Sequence, residues 1–231
     1  MSTPQSRTTS ERSDDIPLLL HQLQQLQLAE VIDAHLPSPH GNRQGLSYGQ
    51  LSVVFLSYIM SQADHRLCAV EAWSTQHLQT LTIGTGWPIK AKDASDDRLG
   101  ALVEVIGGQV ESREQIEQQL GQRMIQAYEL PTEIARCDTS SFSVYHQIDK
   151  SEEGSSLLRF GYSKDHRPDL RQYRQLLGTL DPAGVPLVSE TLAGNGADDP
   201  IYVPTWERLV EVVGHKDFIY IADSKAAARV F

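Results

Sequence analysis

The run Ile134-Ala135-Arg136-Cys137-Asp138-Thr139-Ser140-Ser141-Phe142 decides how the second half of this 231-residue chain is read. It lies in a segment, 132–147, rich in Thr, Ser, Val, Phe and Tyr. β-branched and aromatic side chains fit a pleated, half-buried surface, so the segment predicts a strand. A second run, Phe218-Ile219-Tyr220-Ile221-Ala222, is apolar and is closed by Asp223. A carboxylate at the end of a buried strand is fixed by the sheet and opens into the crevice at the strand's carboxyl edge. Two that converge there make a cation site, which marks Asp138 and Asp223 as candidate ligands.

The residues between the two acids complete the pattern. Positions 151–156 form a polar turn, and 157–162 predict a second strand. Another covers 172–180 and passes through Asp181-Pro182-Ala183-Gly184, a turn sequence, into a strand over 185–191. A helix follows over 201–213, with Trp206, Leu209, Val210 and Val213 on one side, and Lys225 onward begins another. The order is β-β-β-α-β-α, with an acid on the first and fourth strands.

Before residue 131 the period is helical. Asp14 or Asp15 is placed to cap a helix with apolar positions Ile16, Leu19, Leu20, Leu23 and Leu26, running towards His35. Ser47-Tyr48-Gly49-Gln50 is a capping box ahead of Leu51, Val54, Phe55, Tyr58 and Ile59. A third helix is expected over 67–81 with Val70 and Trp73 inward. A fourth starts at Ser95-Asp96-Asp97, carries Leu99, Leu102, Val103 and Ile106, and stops at Gly107. Ser112-Arg113-Glu114-Gln115 is a second capping box, opening a helix to about Tyr128. The predicted class is therefore α+β and multi-domain. A disordered leader covers 1–13, a helical domain 14–130, and a mixed-sheet domain 131–231.

Composition narrows the functional classes. Hydrophobic content of 40% and charge of 22% describe an ordinary globular chain. The most apolar helix, 51–60, is interrupted by Ser52 and Ser57 and is shorter than the roughly 20 apolar residues of a span. Residues 1–13 lack an apolar signal core, and Cys68 and Cys137, at no metal-ligand spacing and expected to be buried, fit a reducing cytoplasm. The net charge of −10 argues against simple, sequence-independent DNA binding, which needs clustered cations. Between Arg159 and Arg174, however, Arg159, Lys164, Arg167, Arg171 and Arg174 face only Asp165 and Asp169, a local +3. An aspartyl phosphotransfer site is excluded because Ser140 stands where a second Asp is needed. Gly84-Thr85-Gly86 and Gly194-Asn195-Gly196 lack the strand–turn–helix context of a nucleotide fingerprint, and there is no Walker lysine or Gly-x-Ser-x-Gly elbow.

Four words carry a resemblance: Arg136-Cys137-Asp138-Thr139-Ser140, Gly161-Tyr162-Ser163-Lys164-Asp165-His166-Arg167-Pro168-Asp169-Leu170, Gly194-Asn195-Gly196-Ala197-Asp198 and Ile221-Ala222-Asp223. In their order and spacing the chain resembles bacterial insertion-sequence transposases of the DDE type. More narrowly, it resembles the branch with a helical N-terminal domain and a β-rich insertion, before the final acid, in a ribonuclease H-like core. The resemblance implies phosphodiester chemistry with two Mg²⁺ (or Mn²⁺) ions about 4 Å apart. It gives Asp138 the bridging place and Asp223 one ion. It puts Lys164, Arg167, Arg171 and Arg174 against DNA phosphates and Asn195 and Asp198 in supporting places. The implied partners are terminal inverted repeats and target DNA, with a homodimer as a further option. The implied location is the cytoplasm, at the nucleoid when DNA is bound.

The family's third ligand is a glutamate on a later helix, and the chain reaches Phe231 only eight residues after Asp223. Glu190 and Glu207 precede Asp223 and so hold the wrong topological place. The expectation is thus a C-terminally truncated transposase with an incomplete core, holding two of three acids and turning over poorly or not at all. The alternative is a non-catalytic DNA-binding or dimerising fragment that inhibits the full-length enzyme, or an inactive relic. A ribonuclease H-like nuclease with a different third ligand is a further option.

Overall fold

Apolar residues at threes and fours build the first half of the chain and alternation builds the second. The computed structural model describes residues 10–39, 44–145, 156–162 and 166–223. Among these the chain is α+β, with eight α-helices and a four-stranded mixed sheet. It divides into two compact units, Met1–Ile116 and Glu117–Phe231.

The first unit holds α1 (Ile16–Gln25), α2 (Leu28–His35), α3 (Tyr48–Gln62), α4 (Leu67–Gln76), α5 (Leu78–Thr85) and α6 (Asp96–Gly108). The single helix expected as far as His35 is two, because Gln27 takes a left-handed φ of 49° between them. Asp15 makes no side-chain cap; its carboxylate instead accepts from the Ser61 hydroxyl at 2.7 Å. The helix expected over 67–81 is likewise two, broken where His77 leaves helical geometry (φ −114°, ψ 23°). Val70 and Trp73 do face inward. Cys68 is exposed rather than buried, while Cys137 is buried. In α6, Leu99 and Leu102 are buried but Val103 is half exposed, and the helix runs one residue past Gly107.

The capping box of α3 is present as expected: the Ser47 Oγ accepts from the Gln50 amide and Gln50 Oε1 from the Ser47 amide, both at 3.1 Å. The Ser47 hydroxyl also donates to Asp33 at 2.5 Å. The second box does not form. Helix α7 (Val110–Tyr128) begins before Ser112, and the Arg113 amide bonds the Gln109 carbonyl at 2.9 Å.

Residues 1–9 of the expected leader lie outside the described residues, but Glu11 and Arg12 are anchored. The Glu11 carboxylate accepts from the Gln79 and Thr80 amides at 2.9 and 2.7 Å, capping α5, and His77 Nδ1 donates to the Arg12 carbonyl at 2.8 Å. Burial pushes the Glu11 carboxyl up, but hydrogen bonds from the Thr80 side chain and the Thr80 and Gln79 amides outweigh it. The net effect holds Glu11 below the usual carboxylate range.

The second unit is built on β1 (Ile134–Val144), β2 (Arg171–Leu180), β3 (Val185–Ala193) and β4 (Ile219–Ile221), ordered β3-β2-β1-β4. β2 is antiparallel to β1 and β3, whereas β4 is parallel to β1. The segment 157–162, expected as a strand, contributes only the bridge between Arg159 and Gln172. Helix α8 (Tyr202–Val213) connects β3 to β4 and covers one face of the sheet. Its buried stripe is Tyr202, Thr205, Leu209 and Val212: Leu209 faces inward as expected, whereas Trp206, Val210 and Val213 lie one step round and are only partly buried. These side chains join Ala135, Cys137, Leu176, Leu180, Leu187 and Val188 in the core. A bulge at Gly178/Thr179 puts both Leu187 and Val188 on the inner side. The other face is exposed at Asp138, Phe142, Leu177, Ile219 and Ile221.

Two outcomes follow for the first unit. Ser47→Ala removes the cap of α3 and lowers unfolding free energy by about 1 kcal/mol, measured by urea denaturation. A carboxyl depressed on folding stabilises above its unfolded pKa, and this contribution is lost as pH falls through the folded value. Glu11→Gln therefore matches the parent chain in acid, falls behind it as pH rises through the depressed folded pKa, and trails by a constant margin above about 4.3, the unfolded glutamate value, in urea midpoints taken across pH.

Candidate active site on the open face of the sheet

Alternation along β1 sends Ala135, Cys137 and Thr139 to the α8 side and Arg136, Asp138, Ser140 and Phe142 to the opposite face. On β4 the Tyr220 hydroxyl donates to the Tyr202 carbonyl at 3.1 Å, on the α8 side, while Ile219 and Ile221 are exposed. The parallel register pairs Arg136 with Ile221. Asp138 lies two residues further along β1, and Asp223 lies two residues past Ile221, just beyond the end of β4. Both are exposed. Adjacent strands run about 4.8 Å apart, a spacing at which two carboxylates repel unless a cation lies between them.

A polar network runs from Asp138 through the strand to the α8 side. The Asp138 carboxylate accepts from the Thr139 amide at 2.7 Å, and the Thr139 hydroxyl donates to Asp198 at 3.1 Å. Asp198 also accepts from the Arg174 guanidinium, which in turn donates to the Ala193 carbonyl at 3.0 Å. Asp198 thus acts on Asp138 only through Thr139, and it makes no side-chain cap on the turn that follows it. Asn195 is exposed in the turn after β3. Beside them, Tyr202 feels every acid of the region. Burial, then the charges of Asp198, Asp223, Cys137 and Asp138, push its hydroxyl up to about 12. Burial also pushes the Cys137 thiol up, so it is a protonated core group.

The expected basic stripe separates into parts. Lys164 lies outside the described residues. Arg174 is buried and held by Asp198 and Ala193, so it braces the site from within instead of lining its surface. Arg167 forms a two-bond pair with Asp169 at 2.9 and 2.7 Å and stands 5.6 Å from the Tyr145 ring centre. Arg171 lies 5.1 Å over the Phe160 ring. Glu190 pairs with Arg208 at 3.1 Å.

Gln172 and Thr139 were not singled out in the sequence, yet both are central. Gln172 Nε2 donates to the carbonyls of Tyr162 and Gly194 at 3.0 and 2.8 Å, tying the Gly161 and Gly194 words to β2. The approach is close: a Cβ on Gly194 would stand 1.9 Å from the Gln172 carbonyl oxygen, and one on Gly161 2.2 Å from that of Gly194. The sequence signal was a polar residue at an inward position of β2, in step with Leu176 and Leu180.

Two exposed carboxylates are hard oxygen donors of the kind Mg²⁺ takes together with water and substrate phosphate. Among the described residues no group of three or more His, Cys, Asp or Glu gathers as a metal cluster. No protein-family model, curated protein or solved structure matches the chain.

Arg174→Ala leaves Asp198 and the Ala193 carbonyl without their guanidinium. It lowers stability by about 2–4 kcal/mol in urea unfolding, as expected when one partner of a largely buried pair is removed. Arg174→Lys recovers only part, because a single ammonium does not reproduce the guanidinium's spread of donors.

Proposed function

We propose that the chain acts on DNA as a DDE-type transposase does, with Asp138 and Asp223 as two acidic ligands of a Mg²⁺ or Mn²⁺ site in a ribonuclease H-like core. The observation that carries this reading is the parallel β1–β4 pairing, which ends at Arg136 and Ile221, two residues short of each acid, with both acids exposed. The strand order β3-β2-β1-β4, with one helix between β3 and β4, supports it. So do the words around Gly161 and Gly194, which meet at Gln172 beside those strands.

In this reading Asp138 and Asp223 hold the metal, which when bound polarises a phosphodiester and lowers the pKa of an attacking water or hydroxyl. The Thr139 amide fixes one Asp138 oxygen, and Asp198 fixes the Thr139 side chain. The carboxylate is thereby pre-set, which is what a site built on strands offers. Arg167 and Arg171 lie further along the same unit and serve the DNA. The family's third ligand, a glutamate, is assigned to no residue of this sequence.

The test is a Mn²⁺ titration followed by electron paramagnetic resonance. The parent chain removes free Mn²⁺ signal. Asp138→Asn and Asp223→Asn each weaken uptake by at least about tenfold, with circular dichroism unchanged. Equal uptake by the double variant sinks the assignment.

A further inference from the structure

Beyond Asp138 the exposed face of the sheet becomes aromatic. Phe142 on β1 stacks on Tyr173 of β2, with ring centres 5.3 Å apart and planes 17° from parallel. Next along, Val144 pairs with Arg171, and Arg171 lies over Phe160. Phe142 is 46% exposed and Phe160 56%. At the end of β1, Tyr145 is 75% exposed beneath Arg167. Large rings are normally spent on cores, so several turned outward on one stretch of sheet point to a ligand.

The chemistry selects the ligand. Ring faces and guanidinium planes offer flat, sequence-tolerant surfaces on which bases stack. In a duplex those base faces are already covered by their neighbours, so such a surface rewards unpaired bases only. The charge agrees: Arg171 lies over Phe160 and Arg167 over Tyr145, on a chain whose net charge is −10. Phe142 lies four residues from Asp138 along β1, about 13 Å at the rise of an antiparallel strand. We infer that Phe142, Tyr173, Phe160 and Arg171 form a stacking platform that holds unpaired bases of single-stranded DNA running towards Asp138 and Asp223. This deepens the proposed function and rests on its assignment of DNA as substrate.

Fluorescence anisotropy on the full chain tests it, with labelled dT15, rU15 and a 15-base-pair duplex as probes. The platform predicts that dT15 binds more tightly than the duplex. Phe142→Ala with Phe160→Ala then weakens dT15 binding by about tenfold or more while leaving circular dichroism unchanged. Phe160→Trp binds dT15 like the parent chain, and its emission is quenched on binding. Equal binding of duplex and dT15, unchanged in the alanine pair, overturns the platform and leaves the DNA reading standing. Tighter binding of rU15 than dT15 overturns the assignment to DNA. No binding of any probe overturns both readings. Self-association in sedimentation that the alanine pair abolishes, without effect on dT15, makes the face an interface between copies and overturns the platform.

Discussion

The parallel pairing of β1 with β4 is the constraint on which the second unit depends. Consecutive strands in a hairpin sheet run antiparallel, and β1, β2 and β3 do. A parallel neighbour for β1 requires a crossover, and α8 supplies it. Because α8 crosses on one face, that face acquires the apolar core and the other is left to polar and exposed groups. Parallel register then keeps residues two apart in step on both strands. Asp138 and Asp223, 85 positions apart in the chain, each follow the last paired residues, Arg136 and Ile221, by two positions.

The polar network behind the acids follows from burial. Thr139, Gln172 and Arg174 point to the α8 side and are nearly inaccessible, so each must be hydrogen-bonded or impose a desolvation cost. Their partners are Asp198 and the carbonyls of Ala193, Gly194 and Tyr162. Satisfying these strand groups therefore fixes the chain after β3 and the segment before β2. The glycines at 161 and 194 fit because the clasp brings backbone against backbone, where a side chain would collide. Position and stability are one requirement at this end of the sheet.

Much of this was legible because period and side chain agree. The β1 alternation, the turn 181–184 and the Ser47 box are local patterns, and local forces decide them. The breaks at Gln27 and His77 were not legible, since apolar spacing continues on both sides of each and a single residue's φ leaves no trace in the period. Ser112 failed as a cap because Gln109 already occupied that place. Segment 157–162 has strand-forming residues, but pairing requires a partner in register, and only Arg159 finds one. Arg174 shows the sharpest limit. Counted with its basic neighbours it reads as surface charge, and only the phase of β2 reveals that it points inward.

That phase also divides the labour among the arginines. Residues 172 and 174 face the core, whereas 171 and 173 face outward with Asp138 and Phe142. Arg174 thus meets Asp198, while Arg171, three residues earlier, meets a ring. An arginine over an aromatic face keeps its charge but presents a plane, which suits a base as well as a phosphate. On a chain of net charge −10, cations arranged this way attract a polyanion locally without making the whole surface sticky. The acids at 138 and 223 repel that same polyanion. In the proposed reading a divalent cation held by the two acids reverses that sign, which ties metal uptake to nucleic-acid engagement by charge.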